Sequence, residues 1–572
     1  MSNRVIRRRG VNGTVFEADL CPLLKRVYAA RGVTSADELK LSLDKLVPVS
    51  QLVGIGQAVE LLLAHRVRGS RVLVVGDFDA DGATSTALVV RQLRRLGYSD
   101  VQYMVPNRFQ FGYGLTPGIV QLAIERNPQL IITVDNGVSS IAGVVAACAA
   151  GIETLVTDHH LPGEELPVAT AMVNPNLRSN SFPSKALAGV GVAFYTMAAL
   201  TRELVARGEC DAEATSMADL LDLVAAGTVA DLVPLDFNNR ILVHQGLRRI
   251  RSGRCVAGLR ALLEVAGKRI ENIVASDLGF QIGPRLNAAG RLDDMSIGIE
   301  CLLADDLHRA RALAAQLAQL NHERRDLEQR MQQEALAIVD QYADDASLPL
   351  GVCLFDESWH QGIVGLVASR IKDRVHRPVI AMARGDESML KGSARSVPGV
   401  HIRDVLDAVA ARHPGLIDKF GGHAMAAGLT IAADRYADFA KAFDEEVSRW
   451  MTIDDAQGVV HSDGEVAPSE FTLDTARELR AGGPWGQNFP EPLFDGRFTV
   501  LETRTLGERH LKLKVRSADG PICDAIAFCY FDADDAAPIS KAQEIEMAYR
   551  LDVNEYAGTE RLQLVVEYLR RV

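Results

Sequence analysis

Six consecutive residues, Asp77-Phe78-Asp79-Ala80-Asp81-Gly82, carry the strongest chemical signal in the chain. Three carboxylates at alternate positions repel one another unless cations sit between them, and in a tight turn they can point into one pocket as hard oxygen ligands. The run also matches the first six positions of an EF-hand calcium loop, but the acid that closes such a loop would fall at position 88, which is Leu88. Asp135 in IITVDNG and the triplet Asp158-His159-His160 after ETLVT put further acids and two imidazoles just past apolar runs. Asp231, inside LVAAGTVADLVPL, is a fourth candidate, weaker alone because a buried Asp often caps a helix or pairs with Arg. Mixed Asp and His donors suit Mn2+ better than Ca2+, with Mg2+ as the alternative. So many carboxylates exceed the needs of one cation. Two cations about 4 Å apart, sharing one Asp, would hold both sides of a phosphate, the arrangement of phosphoester hydrolysis.

These residues need a scaffold that brings them together. RVLVVG (71–76), VQYMVP (101–106), LIITV (130–134) and ETLVT (153–157) are short Val- and Ile-rich runs that predict buried strands. Ala83–Leu96 and Ser139–Ala150 predict helices between them. Alternating strand and helix implies a parallel sheet covered on both faces, and ligands of such sheets bind outside the carboxyl ends of the strands. Acidic clusters at three such ends would share one crevice.

Helical patterns dominate from Ala186 to about Leu263. From Asp305 to Tyr342 no Gly or Pro occurs, and Leu303, Leu307, Leu317, Leu320, Leu327, Met331 and Ile338 fit one helical stripe. Such a helix would span roughly 55 Å at about 1.5 Å per residue, so it predicts a connector between lobes, with a coiled-coil dimer as the competing reading. A second α/β unit follows, with strands at GVCLF (351–355) and PVIAMA (378–383), a helix over 362–373 between them, and helices at His401–Arg412 and Arg435–Trp450. From about Val459, FTVLETRTL, LKLKVRS, AIAFCYF and RLQLVVEYL predict a small β-barrel or sandwich.

Composition narrows the class. With 48% hydrophobic and 24% charged residues over 572 positions, the chain reads as a multidomain globular protein. It has no apolar run long enough for a membrane span, and the N-terminus lacks the apolar core of a secretory signal, so the expected location is the cytoplasm. Its eight cysteines are scattered without a CxxC pair, which predicts free thiols. A net charge of −12 argues against nonspecific coating of duplex DNA, although bound cations would cancel part of it.

DFDADG, VDNG, TDHH and GTVADLVPLD, in that order, resemble the motifs of the DHH phosphoesterase superfamily. The resemblance extends from about residue 45 to the end, and within the superfamily it is to the single-strand-specific 5′→3′ exonucleases. It implies a DHH catalytic domain over 45–304, a connector helix over 305–343, a DHH-associated substrate-binding domain over 344–455 and an OB-fold over 456–572. It further implies a dimetal centre. Asp77, Asp79 and Asp135 would hold one cation, and Asp81, Asp135, His159 and Asp231 the other, with His160 on the scissile phosphate. Relatives often open the first motif with His, a place that Asp77 takes here. The implied activity is metal-dependent hydrolysis of single-stranded DNA to 5′-mononucleotides in repair and recombination, by a monomer, with a single-strand-binding protein and a helicase as partners. Rival readings are a DHH hydrolase of oligoribonucleotides, cyclic dinucleotides or pyrophosphate, and a non-catalytic DNA-binding scaffold.

Further candidates would contact the strand. Asn107-Arg108-Phe109 and the small-residue segment Gly283–Arg291, read as loops, correspond in such relatives to capture of a 5′-terminal phosphate, which selects Arg108 and Arg285. Arg grips phosphate bidentately. The segment Trp359–Gly365, with Gln361 and Gly362, predicts a helix start whose free N–H groups form an anion site. Ser393-Ala394-Arg395-Ser396 and Gly421-Gly422-His423 resemble substrate-binding motifs of the DHH-associated domain, selecting Arg395, Ser396, Gly422 and His423. Trp485, Phe489 and Phe494, with Lys512 and Lys514, are candidate stacking and charged contacts for a single strand.

Overall fold

The computed structural model describes residues 4–10, 19–107, 111–342, 347–385, 388–532, 538–555 and 559–572. After a short N-terminal strand, β1 (Arg4–Arg8), the predicted strands form as β2 (Arg71–Val75), β3 (Asp100–Met104), β4 (Leu130–Val134) and β5 (Glu153–Thr157), joined by β6 (Ala171–Val173). All pair in parallel, in the order β3-β2-β4-β5-β6. Their buried faces explain the near-continuous apolar runs: every side chain of β4 is buried. Three-residue β6, AMV, is too short to show a pattern in sequence. The helix Ala80–Arg95 starts earlier than the apolar periodicity suggested, because Asp79 caps it.

The connector forms as a continuous helix, Leu307–Val339. Ala310, Ala314 and Leu317 on its first half join the core of the first lobe, and Met331 and Ala335 join that of the second. Its apolar stripe is therefore satisfied within the chain. Between the two halves Arg324 donates to Asn321 Oδ1 at 3.0 Å and pairs with Glu328, which also takes Arg370 Nε at 3.0 Å.

The second lobe has more strands than its two apolar runs announced. β7 (Val352–Phe355) and β8 (Val379–Arg384) pair in parallel, and β9 (Met389–Arg395), β10 (Lys419–Gly422) and β11 (Ala426–Ala432) extend them antiparallel, in the order β10-β11-β9-β8-β7. The added strands, MLKGSAR, KFGG and AAGLTIA, are rich in Gly, Ser and Ala, which hide the usual strand signature.

Strand β12 (Gly458–Ser462) pairs in parallel with β1, tying the N-terminus to the C-terminal part. Arg8 reaches Asp495 at 2.6 Å and Arg31 reaches Asp463 at 2.9 Å. After a helix, Leu473–Ala481, the strands β13 (Phe494–Leu506), β14 (His510–Arg516), β15 (Ile522–Ala527), β16 (Glu544–Asn554) and β17 (Arg561–Arg571) close a barrel in the order β13-β14-β15-β17-β16. Phe494 is fully buried, and Phe489 is buried in a stack with Trp485 at 5.2 Å, which also meets Tyr28 at 5.7 Å. The expected base-stacking role is thus corrected for Phe489 and Phe494, which are buried: Phe489 packs with Trp485 on Tyr28 of the N-terminal segment and Phe494 on Tyr549 within the barrel, while Trp485 is half-buried. Lys514 likewise pairs with Glu502 at 3.0 Å, and Lys512 lies 3.8 Å from Asp524. Among the described residues, no single helix is long and apolar enough to cross a membrane.

Candidate metal centre

β2 and β4 flank the point where the strand order reverses, and a doubly wound sheet leaves its ligand crevice at that point. Asp77 and Asp79 follow β2, and Asp135 follows β4. Asp79 turns the chain from strand into helix, its Oδ1 accepting from Gly82 N at 3.0 Å. Asp135 adopts φ +61°, left-handed and costly by about 1–2 kcal/mol for a residue with a Cβ, the kind of strain that persists where surrounding structure fixes a side chain. Gly189 opens the helix Gly189–Ala206, and a Cβ there would lie 2.6 Å from Asp135 Cβ. The close approach of these two segments requires glycine.

The acids and imidazoles read from the sequence meet at this rim. Ligand atoms of Asp77, Asp79 and Asp135 lie within 4.8 Å of one another, as do those of Asp81, His159 and Asp231, and those of Asp135, His159 and His160. His159 Nε2 stands 3.1 Å from Asp135 Oδ1 and 3.5 Å from Asp231 Oδ2. Both carboxylate oxygens are buried and accept no hydrogen bond from the described residues. Asp81 is held differently: Gly189 N donates to its Oδ2 at 2.6 Å and Val190 N to its Oδ1 at 2.9 Å, so the carboxylate also fastens a helix start.

Burial first, then the negative charge of neighbouring Asp81 and Asp79, holds the carboxyls of Asp135 and Asp231 well above their ordinary range. Burial and Asp79 push Asp81 up to about 7. Burial and the charge of His160 lower His159 to about 4, leaving a neutral ring with a lone pair to give. Crowded, desolvated carboxylates beside a neutral imidazole are unfavourable by themselves and suit divalent cations such as Mn2+ or Mg2+.

His160 is prepared for another task. Its Nδ1 lies 2.8 Å from Asp158 Oδ1, which also takes the backbone N–H groups of His159 and His160 at 2.7 and 3.0 Å, while Val138 N donates to Oδ2 at 2.8 Å. Burial would raise Asp158 and lower His160, but their pairing prevails: Asp158 is held below its usual range and His160 above, helped by Asp77 and Asp79. The Tyr113 hydroxyl lies 3.1 Å from His160 Nδ1 and donates to Asp135 O at 3.1 Å. Sequence reasoning grouped Asp158 with the acids of the crevice rather than as a support for His160, and did not select Tyr113. Asp158 had a signal, its place beside the paired histidines; Tyr113 had only its neighbouring glycines.

The strand-contact candidates fare unevenly. Arg108 lies outside the described residues. The segment Gly283–Leu292 is a helix rather than a loop, and it packs on the first motif: Asn287 Oδ1 accepts from Ala80 N at 2.7 Å, and a Cβ at Gly290 would lie 1.8 Å from Phe78 O. Arg285 on this helix donates to Gln281 O at 2.7 Å, with its Nε buried and unpartnered among described residues. The anion site expected at Trp359–Gly365 is corrected, because its N–H groups are used. Gly362 N donates to His360 Nδ1 at 3.1 Å, and Ile363 N and Val364 N donate to His360 O at 3.0 and 3.3 Å. Gly362 O takes Arg291 Nη1 at 2.9 Å and Gln361 Nε2 donates to Arg384 O at 3.1 Å, so these residues brace the junction between lobes.

Ser396 is also corrected: it is buried and its hydroxyl donates to Val400 O at 2.7 Å. Ser393 Oγ accepts from Arg395 Nη1 at 2.9 Å. Arg395 itself lies over the first turn of the helix Val364–Val375, 2.8 Å from where a Cβ of Gly365 would be, and it is paired with no acid among the described residues. Burial lowers its pKa. Gly422 has φ +151° with no room for a Cβ beside Ala426 O. His423 lies close enough to His160 for that charge, after burial, to lower its pKa, so the two lobes face each other here. A cavity of about 850 Å³ beyond Asp231 runs between the helical part of the first lobe and the barrel, lined by Arg251, Lys268, Arg269 and Arg550 with the exposed rings of Phe280 and Phe528.

Comparison with known proteins agrees with this geometry. Residues 71–228 match the family model of the DHH family N-terminal domain, 348–449 that of the DHHA1 domain and 462–568 that of the RecJ OB domain. The chain is 54% identical to the single-stranded-DNA-specific exonuclease RecJ of Dickeya dadantii, covering 99% of this chain and 98% of that one. It is 52% identical to the protein of that description in Escherichia coli, covering 98% of each. A crystal structure of RecJ from Thermus thermophilus in complex with Mn2+ superposes with a TM-score of 0.81 at 31% identity, over 99% of this chain and 78% of that one. One with Mg2+ gives 0.74 at 29%, over 99% and 76%. The chain belongs to the RecJ family of the DHH superfamily.

Proposed function

We propose that this chain is a metal-dependent nuclease that degrades single-stranded DNA from its 5′ end to 5′-mononucleotides, using two divalent cations, Mn2+ in preference to Mg2+. The observation that carries the reading is the meeting of Asp135 Oδ1, Asp231 Oδ2 and His159 Nε2, buried oxygens without hydrogen bonds around a neutral ring nitrogen. Asp77, Asp79 and Asp135 would hold one cation; Asp81, Asp135, His159 and Asp231 the other, with Asp81 also fastening the helix start at Gly189. Cations bound there supply Lewis-acid activation of water and neutralise phosphate charge. His160, oriented by Asp158 and Tyr113, donates to a nonbridging oxygen of the scissile phosphate. Arg395 and Ser393 of the second lobe grip the phosphate of the terminal nucleotide, with His423 beside it. The cavity toward the barrel carries the following nucleotides, its cations on phosphates and Phe280 and Phe528 against bases. The passage selects single strands by width, and the enzyme works as a monomer in the cytoplasm during repair and recombination, on ends supplied by a helicase and a single-strand-binding protein.

Mn2+-dependent product release from end-labelled single-stranded DNA, duplex DNA, short RNA and cyclic dinucleotides tests this. Mononucleotides are expected from the 5′ end of single-stranded DNA. Cleavage confined to the small substrates, or release from the 3′ end, would overturn the proposal; binding of DNA with no cleavage would favour a scaffold.

A further inference from the structure

At the end of the helix Ala80–Arg95 opposite the metal centre, about 24 Å from Asp79 at 1.5 Å per residue, lies a cavity of about 380 Å³. Its walls bring together Arg91, Arg95, Arg249 and Arg260 from three helices, with Asp219 and Asp305. Asp305 answers Arg91, Asp219 answers Arg249 and Glu264 answers Arg260, which leaves Arg95 as the guanidinium with no acid among the described residues. The turn at Val256, where the helix Ala257–Val265 begins, closes one side.

A donor-by-donor view shows which groups are committed. Arg91 is spent on the wall: Nε and Nη2 donate to Leu302 O at 3.0 Å and Nη1 pairs with Asp305 at 2.7 Å. Arg249 gives Nη1 to Asp219 at 2.9 Å, but its Nε is buried and unpartnered among the described residues. Arg260 gives Nε to Glu264 at 3.2 Å and keeps both terminal nitrogens. Arg95 makes no hydrogen bond or ion pair with any described residue. Asp222 takes Val256 N at 2.7 Å, and the N–H groups that follow lack intrahelical partners. Open guanidinium donors thus converge from three helices, and the walls offer almost no apolar surface for a base or a peptide side chain.

We propose that this cavity binds a phosphate group, as free pyrophosphate or as the 5′-phosphate of a deoxynucleoside monophosphate. The tetrahedral group can accept from several guanidinium forks at once, which a planar, singly charged carboxylate cannot. The site is independent of the metal centre and of Arg395.

Calorimetric titration of the full chain without divalent metal, using sodium pyrophosphate and separately dAMP, tests it. In the Arg395→Ala chain, which lacks the phosphate grip proposed for the second lobe, one binding event is expected, weakened about tenfold by adding Arg95→Ala and lost on adding Arg95→Ala/Arg260→Ala. The side chains of Arg95 and Arg260 are solvent-accessible, and an unchanged unfolding temperature would show that the combined variant is folded. Preference for dAMP would identify a released nucleotide as the ligand, and preference for pyrophosphate an inorganic one. Absence of binding in Arg395→Ala, or binding that survives in the folded combined variant, would overturn the proposal.

Discussion

In the first lobe carboxylates crowd together, mostly buried and without enough cations; in the second the half-buried guanidinium of Arg395 pairs with no acid among the described residues. Each arrangement costs folding free energy alone, and each becomes favourable when charge of the other sign arrives. The first calls for cations and the second for an anion. A phosphodiester with its metals would complete both. The connector helix, packed into both cores, sets their spacing.

The sharpest way to break this contrast is Asp135→Ala. Losing a carboxylate that belongs to two of the three ligand clusters should lower cleavage about 1,000-fold or more, the scale of several kcal/mol of charge stabilisation, while the metal-free chain keeps its unfolding temperature. A large drop in that temperature would show the acids to be structural instead. Gly189→Ala should follow, with about 100-fold less activity and about 1–3 kcal/mol less stability in denaturant unfolding, because its Cβ would collide with Asp135. Normal activity would mean that the helix start can shift.

Asp158→Asn tests the support beneath His160 and should cost about 10- to 100-fold in kcat with Mn2+ affinity little changed. Altered metal affinity alone would place Asp158 among the ligands. Arg395→Ala should raise KM for 5′-phosphorylated DNA about tenfold and affect kcat less. An effect confined to kcat would move Arg395 from gripping to chemistry.

The smallest effect concerns pH. A carboxyl whose folded pKa is raised, as for Asp81 at about 7, stabilises the metal-free fold at low pH, and this contribution is lost as pH rises from about 4 through 7. Metal requires the ionised form. The rise in Tm caused by Mn2+ should therefore be greater at pH 8 than at pH 5.5, and an increment independent of pH would contradict the electrostatics drawn here.

The first lobe was legible because its chemistry is written in local order: each acid follows an apolar strand, and the geometry of a parallel sheet gathers strand ends at one rim. Asp77, Asp79, Asp135 and the paired histidines could be placed before any coordinate was known. The second lobe was not legible in that way. β9, β10 and β11 carry little apolar periodicity, so nothing local revealed that Arg395 would lie over Gly365, or that Ser393 rather than Ser396 would face it. Gly362 looked like an open anion site until its N–H met His360 and its carbonyl met Arg291. The aromatics before the barrel looked available to bases until Tyr28, far away in sequence, stacked on Trp485. Sequence alone determined which donors the protein owns and at which strand ends they stand. Tertiary packing decided which remain open, because a hydrogen-bonding group is spent or spared by neighbours that only the fold brings within 3 Å.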